Sequence, residues 1–276
     1  MMQVDASVGA PVSVVIPCFR CAETISRAIA SVAKQSLLPL EVLLVDDCSG
    51  DNTLTIIEAL AKKYPQGWIK IVALPKNVGA GEARNAGWEM ASGEFVAFLD
   101  ADDAWHPRKI EIQYAYMSAH PEVDLCGHER RLLVQEAGLP DWDLPQYEAR
   151  SIHKWSLLLS NKFVTPSVMI RRDVEQRFVE GQRHMEDHML WLLLSCGGKG
   201  VVKLSAELAA IYKSPFGMTG LSAQIWAMER GDLGNYRRLY RLGYIGPIQL
   251  GLLAIYSVLK YIRRLVIYGS YLRWKK

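Results

Sequence analysis

Three carboxylates stand within four residues at Asp100-Ala101-Asp102-Asp103, and two further acidic pairs occur at Asp46-Asp47 and Glu186-Asp187. Like charges this close repel, and a site that keeps them together needs compensation. A hard divalent cation, Mn²⁺ or Mg²⁺, supplies it, because both prefer oxygen ligands and keep positions open for the oxygens of a substrate diphosphate. The competing reading is a solvated turn ahead of a helix. Glu186-Asp187 opens the apolar stretch MEDHMLWLLL. Acids there either complement a helix macrodipole or place a general base at a buried helix start. His184 and His188 flank this pair and read first as packed or surface histidines. Cys18 and Cys21 form a CxxC, but no second CxxC or nearby His pair completes a zinc site. The five cysteines therefore read as reduced structural thiols.

These groups need elements to hold them. Val12–Pro17, Glu41–Val45, Ile69–Leu74 and Glu94–Leu99 are short apolar runs rich in β-branched residues, and each reads as a strand. Between them Ala22–Gln35, Asn52–Tyr64 and Gly81–Met90 carry helical spacing. The alternation predicts an α/β fold with a mostly parallel, Rossmann-like sheet flanked by helices. Ligands in such sheets bind beyond the carboxyl ends of the strands. Asp46-Asp47 and Asp100–Asp103 both follow predicted strands, which places the two acidic clusters on one edge. Pro107 suits the first turn of a helix over Arg108–Ala119; Thr165–Arg171 reads as a strand and Met185–Cys196 as a buried helix. Among the eight tryptophans, Trp191 reads as core, and Trp105, beside the acidic cluster, is the candidate for a sugar-stacking pocket.

The net charge of +3 is unevenly divided. Arg230–Lys276 holds ten Lys or Arg and one acid, leaving the remainder at −6. Eighteen uncharged residues, from Leu242 to Leu259, precede Lys260, Arg263 and Arg264. That pattern predicts a helical region, 226–276, lying on an anionic membrane surface, with a true span or a packing helix as alternatives. The first seventeen residues have neither a basic start nor a long apolar core, so a cytoplasmic protein, peripheral on the inner face of the membrane, is expected. No nucleic-acid partner is expected.

Five blocks, VSVVIPCFR, LPLEVLLVDDCSGDNT, LPKNVGAGEARNAG, SGEFVAFLDADDAWHPRKI and MEDHMLWLLL, occur in this order. In order and spacing they resemble the inverting family 2 glycosyltransferases of bacterial surface-polysaccharide synthesis, over roughly residues 12–215. The resemblance implies a GT-A domain over 1–225, a nucleotide-sugar donor (a UDP-sugar first among them) and a Mn²⁺ or Mg²⁺ ion. It implies that Asp47, with Asp46 beside it, binds the nucleotide base, and that Pro17 and Phe19 line base and ribose. Arg84 lies near base and diphosphate. Asp100 supports the donor while Asp102 and Asp103 contact metal and diphosphate, Asp187 is the catalytic base, and Lys213 approaches the diphosphate. Arg20 stands where the family often has Asn. No QxxRW motif follows the base, which implies a single sugar transfer. The basic tail and the relatives together imply a glycan acceptor linked to a polyprenyl diphosphate.

Two other classes compete with this reading. Gly79-Ala80-Gly81 opens a helix, with Asp100 about twenty residues on, as a dinucleotide-binding oxidoreductase requires. The third glycine position, however, is Arg84 and the loop follows the third strand. A catalytically inactive glycan-binding protein is the remaining class, and the intact Asp47, Asp102 and Asp187 argue against it.

Overall fold

The computed structural model describes residues 9–134, 138–212 and 224–274. Its first half alternates as expected: β1 (Ala10–Cys18), α1 (Ile25–Ala33), β2 (Pro39–Asp46), α2 (Thr53–Ala61), β3 (Ile69–Ala73), α3 (Ala80–Met90) and β4 (Phe95–Phe98). The apolar runs become strands because both sheet faces are covered; Val14, Val15, Leu43 and Leu44 are fully buried. There follow β5 (Ala104–Trp105), α4 (Lys109–Ala119), β6 (Val123–Leu133), β7 (Ala149–Ser151), α5 (Lys154–Leu159), β8 (Met169–Arg171), α6 (Glu186–Cys196), β9 (Gly200–Tyr212), α7 (Ile225–Arg241) and α8 (Pro247–Trp274). Among the described residues the strands form one sheet ordered β3-β2-β1-β4-β8-β6-β9-β5, with β7 on β9. β1 pairs in parallel with β2 and β4, β2 with β3, and β6 with β9. β8 is antiparallel to β4 and β6.

Register aligns the strand ends that matter. Cys18 pairs with Asp46, and Asp46 with Ala73, so the chain leaves β1, β2 and β3 at one level. Helix α3 lies close on this sheet because Gly87 has no side chain; a Cβ there would come within 2.5 Å of Val15 Cγ1 and 3.1 Å of Val45 Cγ2. At the opposite strand ends, buried Glu41 accepts from Ser13 Oγ (2.6 Å) and Ser92 N (2.7 Å) and pairs with Lys70.

Three expectations need correction. Thr165–Ser167 is a short 3₁₀ turn, and only Met169–Arg171 is strand. Helix α4 begins at Lys109, so Pro107 lies outside it, and its carbonyl instead accepts from Ser36 N (2.8 Å). Trp105 is buried at 1% exposure, its Nε1 donates to Pro166 O (2.8 Å), and Lys109 Nζ sits 3.7 Å from its ring. Its ring faces are taken by the core, which leaves none for a sugar.

Helix α7 starts at Ile225 and contributes Tyr236 and Leu239 to the cluster that contains Trp191 and Met189 of α6. Ile245 and Leu253 join the same cluster, so the first part of the basic tail is packed. Beyond that, α8 turns a row of apolar residues outward: Ile248, Leu252, Ile255, Leu259, Ile262 and Val266 are all exposed. Among the described residues, no helix is long and apolar enough to cross a membrane.

Candidate active site

The site gathers at the carboxyl edge of β1–β4. After β1, Phe19 is 46% exposed, and Arg20 adopts a left-handed backbone (φ +50°). Asn tolerates that region better than most residues, which gives a physical reason for the family's Asn at this place. Arg20 is held there by Ser49: its N–H donates to Ser49 Oγ (3.2 Å) and its Nε to Ser49 O (3.3 Å). Ser49 Oγ in turn donates to Asp46 Oδ1, so the loops after β1 and β2 are tied into one wall. Pro17, half-buried, and exposed Phe19 stand on this wall.

Asp47 is buried and its carboxylate gathers the loop before α3. Oδ1 accepts from Val78 N (2.7 Å), and Oδ2 accepts from Gly79 N (2.8 Å) and Asn77 Nδ2 (3.0 Å). Gly79 has φ +98°, which favours glycine there. Oδ1 retains one lone pair for a ligand donor. The same geometry argues against a dinucleotide site: the amides leading into α3 already hold a protein carboxylate, and a Cβ at Gly81 would touch Glu186 and Phe178.

Arg84 joins two parts of the site that are far apart in sequence. It is buried at 4% exposure; Nη2 lies 2.7 Å from Asp100 Oδ1 and Nη1 3.4 Å from Glu186 Oε1. Burial works to lower its pKa, but Asp100 and Glu186 raise it further, so the guanidinium stays charged. The acidic cluster after β4 and the start of α6 are thereby brought face to face. Within the cluster, oxygens of Asp100, Asp102 and Asp103 all lie within 4.8 Å of one another. Asp103 is buried, with Oδ1 accepting from Tyr212 N (3.2 Å). Arg27 donates to the backbone carbonyl of Asp102 (2.7 Å) and stacks 3.6 Å over the Tyr212 ring. Three convergent carboxylates form the hard-oxygen donor set that suits Mn²⁺ or Mg²⁺. Arg84 and Arg27 offset part of their repulsion.

Helix α6 begins at a strained residue. Met185 adopts φ +56° just before Glu186, and strain of this kind persists only when surroundings over-determine it. Here α7 does so: Asn235 Nδ2 donates to Met185 O (3.0 Å), and Gly231 leaves room for the Met185 side chain. The result aims Glu186 towards Arg84 and leaves Asp187 half-buried. Burial raises Glu186 to about 7, with Asp187 adding to the shift and Arg84 opposing it. Asp187 Oδ1 accepts from His188 N (2.6 Å) and Oδ2 from Asn161 Nδ2 (3.0 Å). His188 is buried, as its packed reading expects, and Lys213 lies outside the described residues. Ser49, Asn77, Arg27, Tyr212 and Asn161 were missed by sequence reasoning, since each acts through a contact made only in the fold.

The family model described as Glycosyl transferase family 2 matches residues 13–178. The chain belongs to glycosyl transferase family 2. Among its curated relatives, the Putative teichuronic acid biosynthesis glycosyltransferase TuaG of Bacillus subtilis (strain 168) is 41% identical over 85% of this chain and 90% of that one. The UDP-Glc:alpha-D-GlcNAc-diphosphoundecaprenol beta-1,3-glucosyltransferase WfgD of Escherichia coli is 39% identical over 66% of this chain and 68% of its own length. Against the Succinoglycan biosynthesis protein ExoO of Rhizobium meliloti (strain 1021) the identity is 33%, and the match spans 71% of this chain but 59% of ExoO. The fold is that of solved GT-A enzymes. S. aureus TarS 1-349 in complex with UDP-GlcNAc superposes with a TM-score of 0.67 at 20% identity, over 92% of this chain and 72% of TarS. Mannosyltransferase PcManGT from Pyrobaculum calidifontis, in complex with GDP-Man and Mn2+, also gives 0.67, at 16% identity over 96% of this chain and 77% of its own.

Proposed function

We propose that this family 2 enzyme transfers a single sugar, with inversion, from a nucleoside-diphosphate sugar to a lipid-linked glycan acceptor during surface-polysaccharide synthesis. The observation that carries the reading is the Asp100–Arg84–Glu186 bridge, which holds a metal-type carboxylate cluster against the acidic start of α6. Pro17 and Phe19 form a wall for base and ribose, with Asp46 and Asp47 closing it from β2. A UDP-sugar is the preferred donor, in keeping with the UDP-Glc in the name of WfgD and the UDP-GlcNAc bound to TarS. Asp102 and Asp103 would hold Mn²⁺ or Mg²⁺, with Asp100 as nearer support beside Arg84. Bound there, the ion stabilises the charge that grows on the departing diphosphate. Arg84 adds fixed positive charge on the same side, and Lys213 belongs to this group by sequence.

Asp187 takes the proton from the acceptor hydroxyl as its oxygen bonds to the anomeric carbon and the bond to the diphosphate breaks. Each Asp187 oxygen makes one hydrogen bond, so a lone pair remains for that proton. Direct displacement needs one base and no covalent intermediate, which is the basis for assigning inversion. The acceptor is assigned as a polyprenyl-diphosphate glycan, the chemistry in the name of WfgD.

In this reading the exposed face of α8 is the membrane-associating part of residues 226–276, while α7 packs into the catalytic domain, which acts at the cytoplasmic face. The exposed row on α8 from Ile248 to Val266 is about 27 Å long at 1.5 Å per residue. No acid occurs after Asp232, while Arg237, Arg238 and Arg241 on α7 and Arg263 and Arg264 on α8 are exposed. An exposed apolar face on a helix whose charged residues are all cations matches an anionic bilayer better than a second copy, whose cations would meet its own.

A thermal-shift screen of nucleotide sugars with Mn²⁺ tests the donor site. At 100-fold excess over Kd, about 2.7 kcal/mol of stabilisation is expected, which raises Tm by several degrees in a chain of this size. Asp102→Ala should lose the Mn²⁺-dependent part. Stabilisation by no nucleoside diphosphate would overturn the reading.

A further inference from the structure

Helix α5 has only six residues, and its last carbonyls have no partner within the helix. Three consecutive ones are capped by side chains from three different helices. His188 Nε2 of α6 donates to Leu157 O (2.8 Å), Tyr236 Oη of α7 to Leu158 O (2.8 Å) and Lys260 Nζ of α8 to Leu159 O (3.2 Å). Asp232 of α7 lies between two of the three donors, at 3.4 Å from His188 Nδ1 and 3.9 Å from Lys260 Nζ. The His188 and Asp232 side chains are 1% and 2% exposed, so this part of the clamp is shielded from water, while the Lys260–Leu159 bond lies at the surface.

Two residues beyond the clamped end comes Asn161. Its Oδ1 accepts from Phe163 N (3.2 Å), which fixes the amide orientation and turns the NH₂ towards Asp187 Oδ2 at 3.0 Å. His188 is at once a clamp donor and the neighbour whose N–H holds the other Asp187 oxygen. The Asp187 carboxylate is thus gripped from both sides by groups whose positions depend on one buried network.

We propose that Asn161 is a positioning residue for Asp187, and that the Lys260–Asp232–His188 clamp on the end of α5 sets where Asn161 stands. It rests on the reading of Asp187 as the base, and it deepens that reading. The clamp makes base geometry depend on α8, the helix whose opposite face carries the exposed apolar row. Two donors, one on each oxygen, fix the orientation of the carboxylate before an acceptor hydroxyl arrives, as a base needs.

The test compares Asn161→Asp, Asn161→Ala, Lys260→Met and Asp187→Asn in the full chain, measuring kcat, donor KM, Mn²⁺-dependent UDP binding and Tm. Asn161→Asp keeps size but replaces the NH₂ donor with an oxygen facing Asp187. The loss of a charge-assisted hydrogen bond predicts a fall in kcat of roughly 10- to 100-fold for both Asn161 variants. Donor KM and UDP binding stay within twofold, and Asn161→Asp is no better than Asn161→Ala. Lys260→Met lowers kcat in the same direction with donor KM unchanged. Full kcat in Asn161→Asp with Asp187→Asn inactive would overturn this inference alone. Full activity in Asp187→Asn would instead remove the reading beneath it. A loss in donor binding equal to the loss in kcat would assign Asn161 to general structure and also overturn the inference.

Discussion

Glu186 offers a test of the site's electrostatics that needs no substrate. Its carboxyl is pushed from an ordinary 4.5 up to about 7, first by burial and then by Asp187, with Arg84 opposing. Below 4.5 the group is protonated in both folded and unfolded chains and has no differential effect. Between 4.5 and 7 the folded protein keeps a proton that the unfolded chain has released, so stability falls as pH rises. Above 7 the full cost is present. At 1.36 kcal/mol per pH unit the cost is about 3 kcal/mol. Glu186→Gln mimics the protonated form. It should therefore exceed the wild type by no more than about 1 kcal/mol at pH 5 and by about 3 kcal/mol at pH 8, measured by urea unfolding in metal-free buffer. The other strongly shifted carboxylate does not interfere. Burial works to raise Glu41, but Lys70, Ser13 and Ser92 outweigh it and hold it at about 2, so its stabilisation is lost only as pH falls below 4.5. Equal stability of variant and wild type at pH 8, or a variant less stable there, would refute the assignment of Glu186 as a buried, destabilised acid facing Arg84.

Two further outcomes follow from packing and surface chemistry. Gly87→Ala forces a methyl into Val15 and Val45 beneath α3, and should cost about 1–3 kcal/mol in unfolding free energy; an unchanged Tm would mean α3 can move off the sheet. The double variant Leu252→Glu/Leu259→Glu places two charges on the exposed face of α8. It should lower binding to anionic phospholipid vesicles by at least about 100-fold, read by flotation, with Tm unchanged; undiminished flotation would show that this face is not the membrane contact.

The alternating half of the fold was legible because its signals are local. Each β-branched run became a strand, and every helix between strands appeared within a few residues of its expected place. The two acidic clusters after β2 and β4 could be placed on one edge by the parallel-sheet rule alone. What stayed hidden depends on contacts between distant segments. Nothing near Asn161 in sequence announces a partner of Asp187, since the contact forms only when α5 docks on α6. Resemblance singled out Arg84, but its double grip on Asp100 and Glu186 was not legible in the sequence. Trp105 misled for the converse reason. Proximity in sequence to Asp103 suggested a sugar platform, yet pairing of β5 with β9 carries the ring into the core. Thr165–Arg171 was half right because Pro166, which has no N–H for a ladder bond, fits a 3₁₀ turn.

The proposed sugar transfer at a divalent-ion site beside Asp187 can be tested in a single assay. The most direct measurement is product formation from a UDP-sugar and a lipid-diphosphate acceptor, run with Mn²⁺ and with EDTA, for wild type and Asp187→Asn. Alongside it, UDP binding is measured for both proteins. Transfer by the wild type only with the metal is predicted, together with a loss of at least about 1,000-fold in Asp187→Asn while Mn²⁺-dependent UDP binding persists. Undiminished transfer in EDTA would rule out the metal requirement, and undiminished transfer by Asp187→Asn would rule out Asp187 as the base.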